Sequence, residues 1–113
     1  MSARAPVVVK AVQILSKDPA MTGEVLGKKL GLSPSRLARV FKSEMGMSLV
    51  EYRNRLRLER FSVLLDKSGE NLLAAALEAG FGSYAQFHRV FVALRGSTPG
   101  KYLRSRGRDA RRK

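Results

Sequence analysis

The sequence predicts an all-α fold of about seven helices. No segment keeps the two-residue alternation of a strand, whereas apolar residues recur at spacings of three and four. Capping residues and glycines divide the chain into short helical segments. In addition, residues 33–52 recur in outline at residues 83–102, with a constant offset of 50 positions. A repeat inside a chain of 113 residues indicates that one small structural device is used twice.

The first three helices are predicted from their starts and stops. Helix one has apolar residues at helical spacing: Val8, Ala11, Val12 and Leu15. It ends near Asp18. Thr22 caps a short second helix, which Gly31 terminates. Ser33, followed by proline, starts a third helix that stops at Gly46.

A long helix is predicted in the middle of the chain. Ser48 and Glu51 have the spacing of a capping box, and the helix that they open extends to about Asp66. Asn71 then caps a short apolar helix over residues 72–79. This fifth helix ends at the glycine that follows it.

The internal repeat predicts the last two helices. Ser83 starts the sixth, which ends near Gly96, and Thr98 starts a short seventh. Six positions are identical between the copies: Ser33/Ser83, Arg39/Arg89, Val40/Val90, Phe41/Phe91, Gly46/Gly96 and Tyr52/Tyr102.

In each copy, a short helix and a tight turn precede an amphipathic helix. The apolar stripes, predicted to be core, are Leu37, Val40, Phe41 and Met45, then Phe87, Val90, Phe91 and Leu94. The opposite faces carry Ser35, Arg36, Ala38, Arg39 and Lys42, then Tyr84, Ala85, Gln86, His88, Arg89 and Arg95. This is the helix-turn-helix arrangement, whose second helix enters the DNA major groove.

The charge balance favours a polyanionic partner. The chain has 22 basic and 9 acidic residues, a net charge of +13, and Arg outnumbers Lys. Arg binds guanine and phosphate bidentately, so nucleic acid is the leading partner. An anionic membrane surface, or no polyanion at all, remains an alternative on charge alone.

Other function classes lack support. Without cysteine and with a single histidine, the chain offers neither a disulfide framework nor a histidine-rich metal site. There is no glycine-rich phosphate loop between a strand and a helix, and no nucleophile beside the histidine, so we expect no cofactor and no enzyme. No apolar run is long enough to span a membrane, and no signal peptide is present, so a soluble cytoplasmic protein is expected.

Two stretches carry a family resemblance. LGLSPSRLARVFKSEMGMSLVEYRNRLRLERFSVLL resembles the first half of an AraC/XylS-type DNA-binding domain, and ALEAGFGSYAQFHRVFVALRGSTPGKYLR resembles the second. The second contains the family signature at Gly80, Phe81, Phe87, Phe91, Gly96, Pro99 and Tyr102. The resemblance covers about residues 8–105. It implies transcription regulation through duplex DNA, with RNA polymerase as a candidate partner and any effector or dimerisation domain outside this chain.

The resemblance also implies a domain organisation. Residues 6–47 form the first helix-turn-helix subdomain, 48–66 the connecting helix, 67–105 the second subdomain and 106–113 a basic tail. A connecting helix of about 18 residues is roughly 27 Å long, comparable to the ~34 Å of one turn of B-DNA. The two recognition helices are therefore expected in successive major grooves.

Site residues follow from the same resemblance. Base contacts are expected from Ser35, Ala38, Arg39, Ala85, Gln86 and Arg89, with Tyr84 and His88 nearby. Phosphate contacts are expected at Ser33, Arg36, Lys42, Arg57 and Ser83. For Arg57, a structural role in which it pairs with a core carboxylate is the alternative. Val92 stands at the position that Lys42 occupies in the first copy. Without that charge, the second recognition helix is expected to be held less firmly to the DNA backbone. The alternative function is a non-specific architectural DNA- or RNA-binding protein.

Overall fold

The computed structural model describes residues 5–67 and 71–111. Within those ranges it contains seven helices and no strand, so the all-α prediction is confirmed. The helices are α1 (Pro6–Lys17), α2 (Gly23–Leu30), α3 (Pro34–Met45), α4 (Leu49–Lys67), α5 (Leu72–Glu78), α6 (Tyr84–Arg95) and α7 (Pro99–Arg111).

Helices α2 to α7 each begin at a side-chain cap. In every case a hydroxyl or amide oxygen accepts a hydrogen bond from the backbone N–H three residues later, at 3.0–3.2 Å. The six caps are Thr22, Ser33, Ser48, Asn71, Ser83 and Thr98. The predicted helix starts are therefore confirmed, and each cap is worth about 1 kcal/mol.

The helix ends agree with the sequence except at the last helix. Gly31, Gly46 and Gly96 adopt the left-handed conformation, with φ of 73°, 71° and 77°, and end α2, α3 and α6. The prediction of a short seventh helix is wrong, because α7 continues to Arg111. Beyond Pro99 this segment contains no further proline and several arginines, which favour a helix.

The described residues divide into two compact units, the first ending at Arg57 and the second beginning at Leu58. In the first unit, α1, α2, α3 and the start of α4 bury one apolar cluster. Its buried members are Val8, Ala11, Leu15, Leu26, Leu37, Phe41 and Leu49. Leu37 and Phe41 are fully covered, whereas Val40 and Met45 are half-buried against this cluster, so the predicted apolar stripe of α3 faces the core.

The second unit has its own apolar cluster, richer in aromatic rings. Its buried members are Leu58, Phe61, Leu65, Ala75, Ala76, Ala79, Phe81, Phe87 and Phe91. The ring of Phe87 lies 4.6 Å from that of Phe61 and 5.3 Å from that of Phe81. The inner side of α6 is thereby held by α4 and by the turn after α5, which leaves its outer side free of the core.

A close backbone approach sets the turn between α2 and α3. Gly27 is buried, and a Cβ at this position would lie 2.6 Å from the carbonyl oxygen of Leu32. The Leu32 N–H donates to the Gly27 carbonyl at 2.9 Å. Because glycine has no side chain, the turn can fold tightly against α2, and this contact fixes where α3 starts.

Candidate nucleic-acid interface

The outer face of α3 is a basic surface. With Leu37 and Phe41 on the buried side, the residues predicted to contact DNA are all exposed. They are Ser35, Arg36, Ala38, Arg39 and Lys42. Three of these five side chains carry a positive charge. Apart from the capping residue Ser33, every residue of this helix predicted to contact a base or a phosphate therefore lies on its exposed face.

The outer face of α6 is less basic and more apolar. Ala85, Arg89 and Val92 are exposed, Val92 with 38% of its surface accessible. Tyr84 and His88 are half-buried. Among the sequence-predicted readers of this helix, Ala85 and Arg89 therefore lie most open to a ligand.

Tyr84 is half-buried, because one side of its ring packs against the core. Its ring lies 5.4 Å from that of Phe87, which belongs to the core, and 6.3 Å from the imidazole of His88. Tilted ring pairs at such distances contribute about 0.5–1.5 kcal/mol beyond the area that they bury. Tyr84 and His88 therefore form a pair of neighbouring rings at the start of α6, and Tyr84 packs against the second core.

Gln86 is tied to its own helix start. Its side-chain oxygen Oε1 accepts a hydrogen bond from the Gly82 N–H at 2.7 Å, while its backbone N–H donates to Ser83 Oγ at 3.1 Å. Reading adenine requires both ends of a glutamine amide, the oxygen as acceptor and the nitrogen as donor. In this conformation the Gln86 oxygen accepts a backbone bond that orders the turn before α6, and base contact by Gln86 stays a prediction.

The two capping serines occupy equivalent places. Ser33 Oγ and Ser83 Oγ accept the backbone N–H groups of Arg36 and Gln86 at 3.2 and 3.1 Å. Their hydroxyl oxygens therefore satisfy one N–H of each helix start. The remaining first-turn N–H groups give these ends the partial positive charge that binds anions such as phosphate.

Arg57, a residue of α4, is buried inside the first unit. It is 4% exposed, and its Nε and Nη2 atoms donate to the carbonyl oxygens of Pro19 at 2.6 Å and Ala20 at 3.2 Å. Burial and the neighbouring Arg53 lower the pKa of Arg57 to about 10, against the opposing effect of Asp18, so the guanidinium stays charged at neutral pH. A phosphate contact needs an accessible guanidinium, so we remove Arg57 from the phosphate set and assign it a structural role.

Arg53 assists Arg57, and the sequence analysis missed it. Its Nη1 atom donates to the carbonyl oxygen of Met21 at 3.3 Å, and burial lowers its pKa. The two arginines stand one helical turn apart on α4 and together bind three consecutive carbonyls of the α1–α2 loop. Their spacing of four residues was the available signal, since it places both on one side of the helix.

Two further features, a metal-ligand group and a membrane-spanning helix, are absent from the described residues. Within 5–67 and 71–111, no three carboxylate or imidazole side chains are grouped as metal ligands would be. In the same part of the chain, no helix combines the length and apolar character that crossing a bilayer requires. The exposed faces of α3 and α6 are the candidate surfaces, one in each unit.

A family model described as a helix-turn-helix domain matches residues 26–105, which include both copies of the repeat. The chain belongs to the AraC-type helix-turn-helix family. It therefore carries the DNA-binding domain of a class of transcription regulators, and the resemblance drawn from the sequence is confirmed.

Relatives of this AraC-type domain include both long and short proteins. It is 34% identical over 76 residues to the HTH-type transcriptional regulator MtrA of Neisseria gonorrhoeae, covering 67% of this chain but 25% of that protein. It is 32% identical over 88 residues to the probable transcription factor PqrA of Proteus vulgaris, covering 78% and 72%. The arabinose operon regulatory protein of Escherichia coli is 30% identical over 71 residues, 63% of this chain and 24% of that protein. The chain thus spans about a quarter of the longer relatives.

Solved structures share the same architecture. The C-terminal domain of AraT, a response regulator from Geobacillus stearothermophilus, superposes with a TM-score of 0.75 at 26% identity, covering 92% of this chain and 88% of that one. A Listeria innocua protein of unknown function gives a TM-score of 0.79 at 26% identity, covering 87% and 95%. The structural likeness therefore covers about nine-tenths of the chain.

Proposed function

We propose that this chain binds double-stranded DNA sequence-specifically through α3 and α6, placed in successive major grooves, and thereby regulates transcription in the cytoplasm. One observation carries the proposal. Arg39 and Arg89 occupy the same position of the repeat, both are exposed, and each stands two residues before a buried phenylalanine of its helix. An arginine retained at the outward position of both copies supports base reading over incidental surface charge.

The chemistry of the two arginines fits guanine. A guanidinium donates two parallel hydrogen bonds to the O6 and N7 atoms of guanine, the commonest specific contact in the major groove. Each such pair discriminates against a wrong base by about 1–3 kcal/mol. We therefore assign one guanine contact to Arg39 and one to Arg89.

Neighbouring charges suit the phosphate backbone. Arg36 and Lys42 flank Arg39 on the exposed side of α3, three residues away on each side. Contacts from such side chains and from helix N-termini position a protein on the duplex without reading sequence. The first-turn amides at Ser33 and Ser83 complete the proposed phosphate set.

The placement in successive grooves rests on helix length. The connecting helix α4 has 19 residues and is about 28 Å long at ~1.5 Å per residue. One turn of B-DNA is about 34 Å, so a chain with two readers can address an asymmetric site as a monomer. RNA polymerase is the partner that we propose for the regulatory step.

Selection of binding sites from random duplexes tests the proposal. We expect a shared motif with two guanine-containing elements about one helical turn apart. Random duplex and single-stranded RNA serve as competitors at the same salt concentration. Absence of any enriched motif, with equal affinity for random duplex, would favour the non-specific architectural function, and preference for the RNA would favour the RNA-binding one.

A further inference from the structure

Three exposed positions on α3 have equivalents on α6, and each set of three is called here the exposed line of its helix. The two lines differ at two of these three positions. Along α3 the line is Ser35, Arg39 and Lys42, and along α6 it is Ala85, Arg89 and Val92; all six side chains are exposed. The central arginine is shared. On either side of it, a hydroxyl and an ammonium in the first copy are replaced by a methyl and an isopropyl group in the second.

This replacement changes what the helix can contact. Lys42 carries a charge that suits a phosphate, whereas Val92 carries none. Val92 nevertheless keeps 38% of its surface accessible, so it does not serve the second core as a buried residue. In the major groove the one apolar group that base pairs display is the 5-methyl group of thymine. An alanine or valine side chain is complementary to that group.

We propose that α6 reads thymine methyl groups on either side of the guanine bound by Arg89, with Ala85 and Val92 as the contacting residues. The inference rests on the proposed function, since it assumes that α6 lies in a major groove. Ala85 and Val92 are seven residues, or about 10 Å, apart along the helix, about three times the spacing of ~3.4 Å between neighbouring base pairs, so the two side chains reach different base pairs. Arg89 lies between them.

The expected strength follows from the area that a methyl group buries. Burial of one CH₂-sized group corresponds to about fourfold in an equilibrium constant. Two thymine methyl groups, one against Ala85 and a more fully covered one against Val92, then change affinity by about 3- to 15-fold. The α3 line carries a hydroxyl and an ammonium group at these positions, so affinity should not depend on the thymine methyl groups that face α3.

Replacing thymine by deoxyuridine removes the methyl group and leaves every hydrogen bond of the base pair in place. The duplex carries the selected site, and the α6 half is the one whose discrimination Arg89→Ala relaxes. We expect about 3- to 15-fold weaker binding when thymines of the α6 half are replaced, and unchanged binding when those of the α3 half are replaced. Dissociation constants are measured at one salt concentration.

Two variants assign the effect to Val92. Val92→Ala should bind the thymine site more weakly and lose most of its sensitivity to deoxyuridine. Val92→Lys should bind more tightly at low salt, with a steeper salt dependence, and also lose most of that sensitivity. The matched control is Val63→Ala, because Val63 is an exposed valine of α4 in the same unit and 54% accessible. It should retain the full deoxyuridine effect.

The outcomes separate the two proposals. If the chain selects no site, the proposed function fails. If it selects a site but wild-type protein binds thymine and deoxyuridine duplexes equally, or the α6 half-site lacks thymine, the methyl-reading inference is overturned while the proposed function stands. Full deoxyuridine sensitivity in Val92→Ala also overturns it.

Discussion

The ring of Phe41 lies 5.4 Å from the ring of Tyr52, and the equivalent residues of the repeat, Phe91 and Tyr102, lie at the same 5.4 Å. The interplanar angles are also close, 60° and 64°. In each unit the phenylalanine is on the buried side of the recognition helix and the tyrosine is on the following helix. The pair thus holds each recognition helix against the helix that follows it.

We predict a measurable coupling between Phe41 and Tyr52. Phe41→Leu, Tyr52→Leu and the double variant form a mutant cycle, and the coupling free energy should be about 0.5–1.5 kcal/mol, as for other aromatic pairs. Urea unfolding followed by circular dichroism provides the measurement. Tyr52→Phe keeps the ring and should lie within about 0.5 kcal/mol of the wild type. Additive single variants would contradict this role.

Arg57→Met should destabilise the protein without changing its electrostatic contacts with DNA. The substitution leaves the carbonyls of Pro19 and Ala20 without their donors, at a cost of about 2–3 kcal/mol in the free energy of unfolding. The exposed Arg60 on the same helix is the control, and Arg60→Met should change stability by less than about 0.5 kcal/mol. At a temperature where the variant is folded, its salt dependence of DNA binding should equal that of the wild type; a shallower slope would restore Arg57 to the phosphate set.

Gln86 should stabilise the start of α6. Gln86→Ala removes the oxygen that accepts the Gly82 N–H, and we expect a loss of about 0.5–1.5 kcal/mol in thermal unfolding without DNA. Gln86→Glu retains an acceptor at a helix N-terminus and should stay close to the wild type. Equal stability of the alanine variant, combined with loss of discrimination at one base pair, would identify Gln86 as a base reader instead.

Local patterns in the sequence were enough to predict the all-α fold, the helix starts and the buried sides of α3 and α6, but not the length of α7. A capping side chain and a glycine act within a few residues, so Ser33 and Gly46 give the bounds of α3 directly. The apolar spacing of α6 likewise gives its buried side, Phe87 and Phe91. Such signals do not depend on the rest of the fold.

Contacts between distant segments could not be predicted in this way. Arg57 binds carbonyls 37 and 38 positions earlier, and nothing in the pattern of α4 says that the α1–α2 loop lies there. The bond from Gly82 to Gln86 spans four residues, yet it depends on the turn geometry before α6 rather than on helical spacing. Side-chain roles in both places needed the tertiary structure.

Binding to duplex DNA should depend strongly on salt. If about 6–10 phosphates are neutralised, the association constant should fall by roughly 10³–10⁵ between about 50 and 200 mM salt. Lys42→Ala should lower the slope of log K against log salt by about 1, equally for all sequences. Lys10→Ala, an exposed lysine of α1, is the matched control and should leave the slope unchanged. A flat salt response of the wild type would contradict a phosphate-anchored complex.

The most direct test of sequence reading by both helices is site selection repeated with Arg39→Ala and with Arg89→Ala. The account predicts that each variant loses preference at one or two base pairs, about 1–3 kcal/mol each, and that the two affected positions lie about one helical turn apart. Because α6 has Val92 in place of the phosphate anchor Lys42, the Arg89 effect should be the smaller. Equal losses on all sequences, with the selected motif unchanged in both variants, would show that Arg39 and Arg89 contact phosphates and would contradict the central claim.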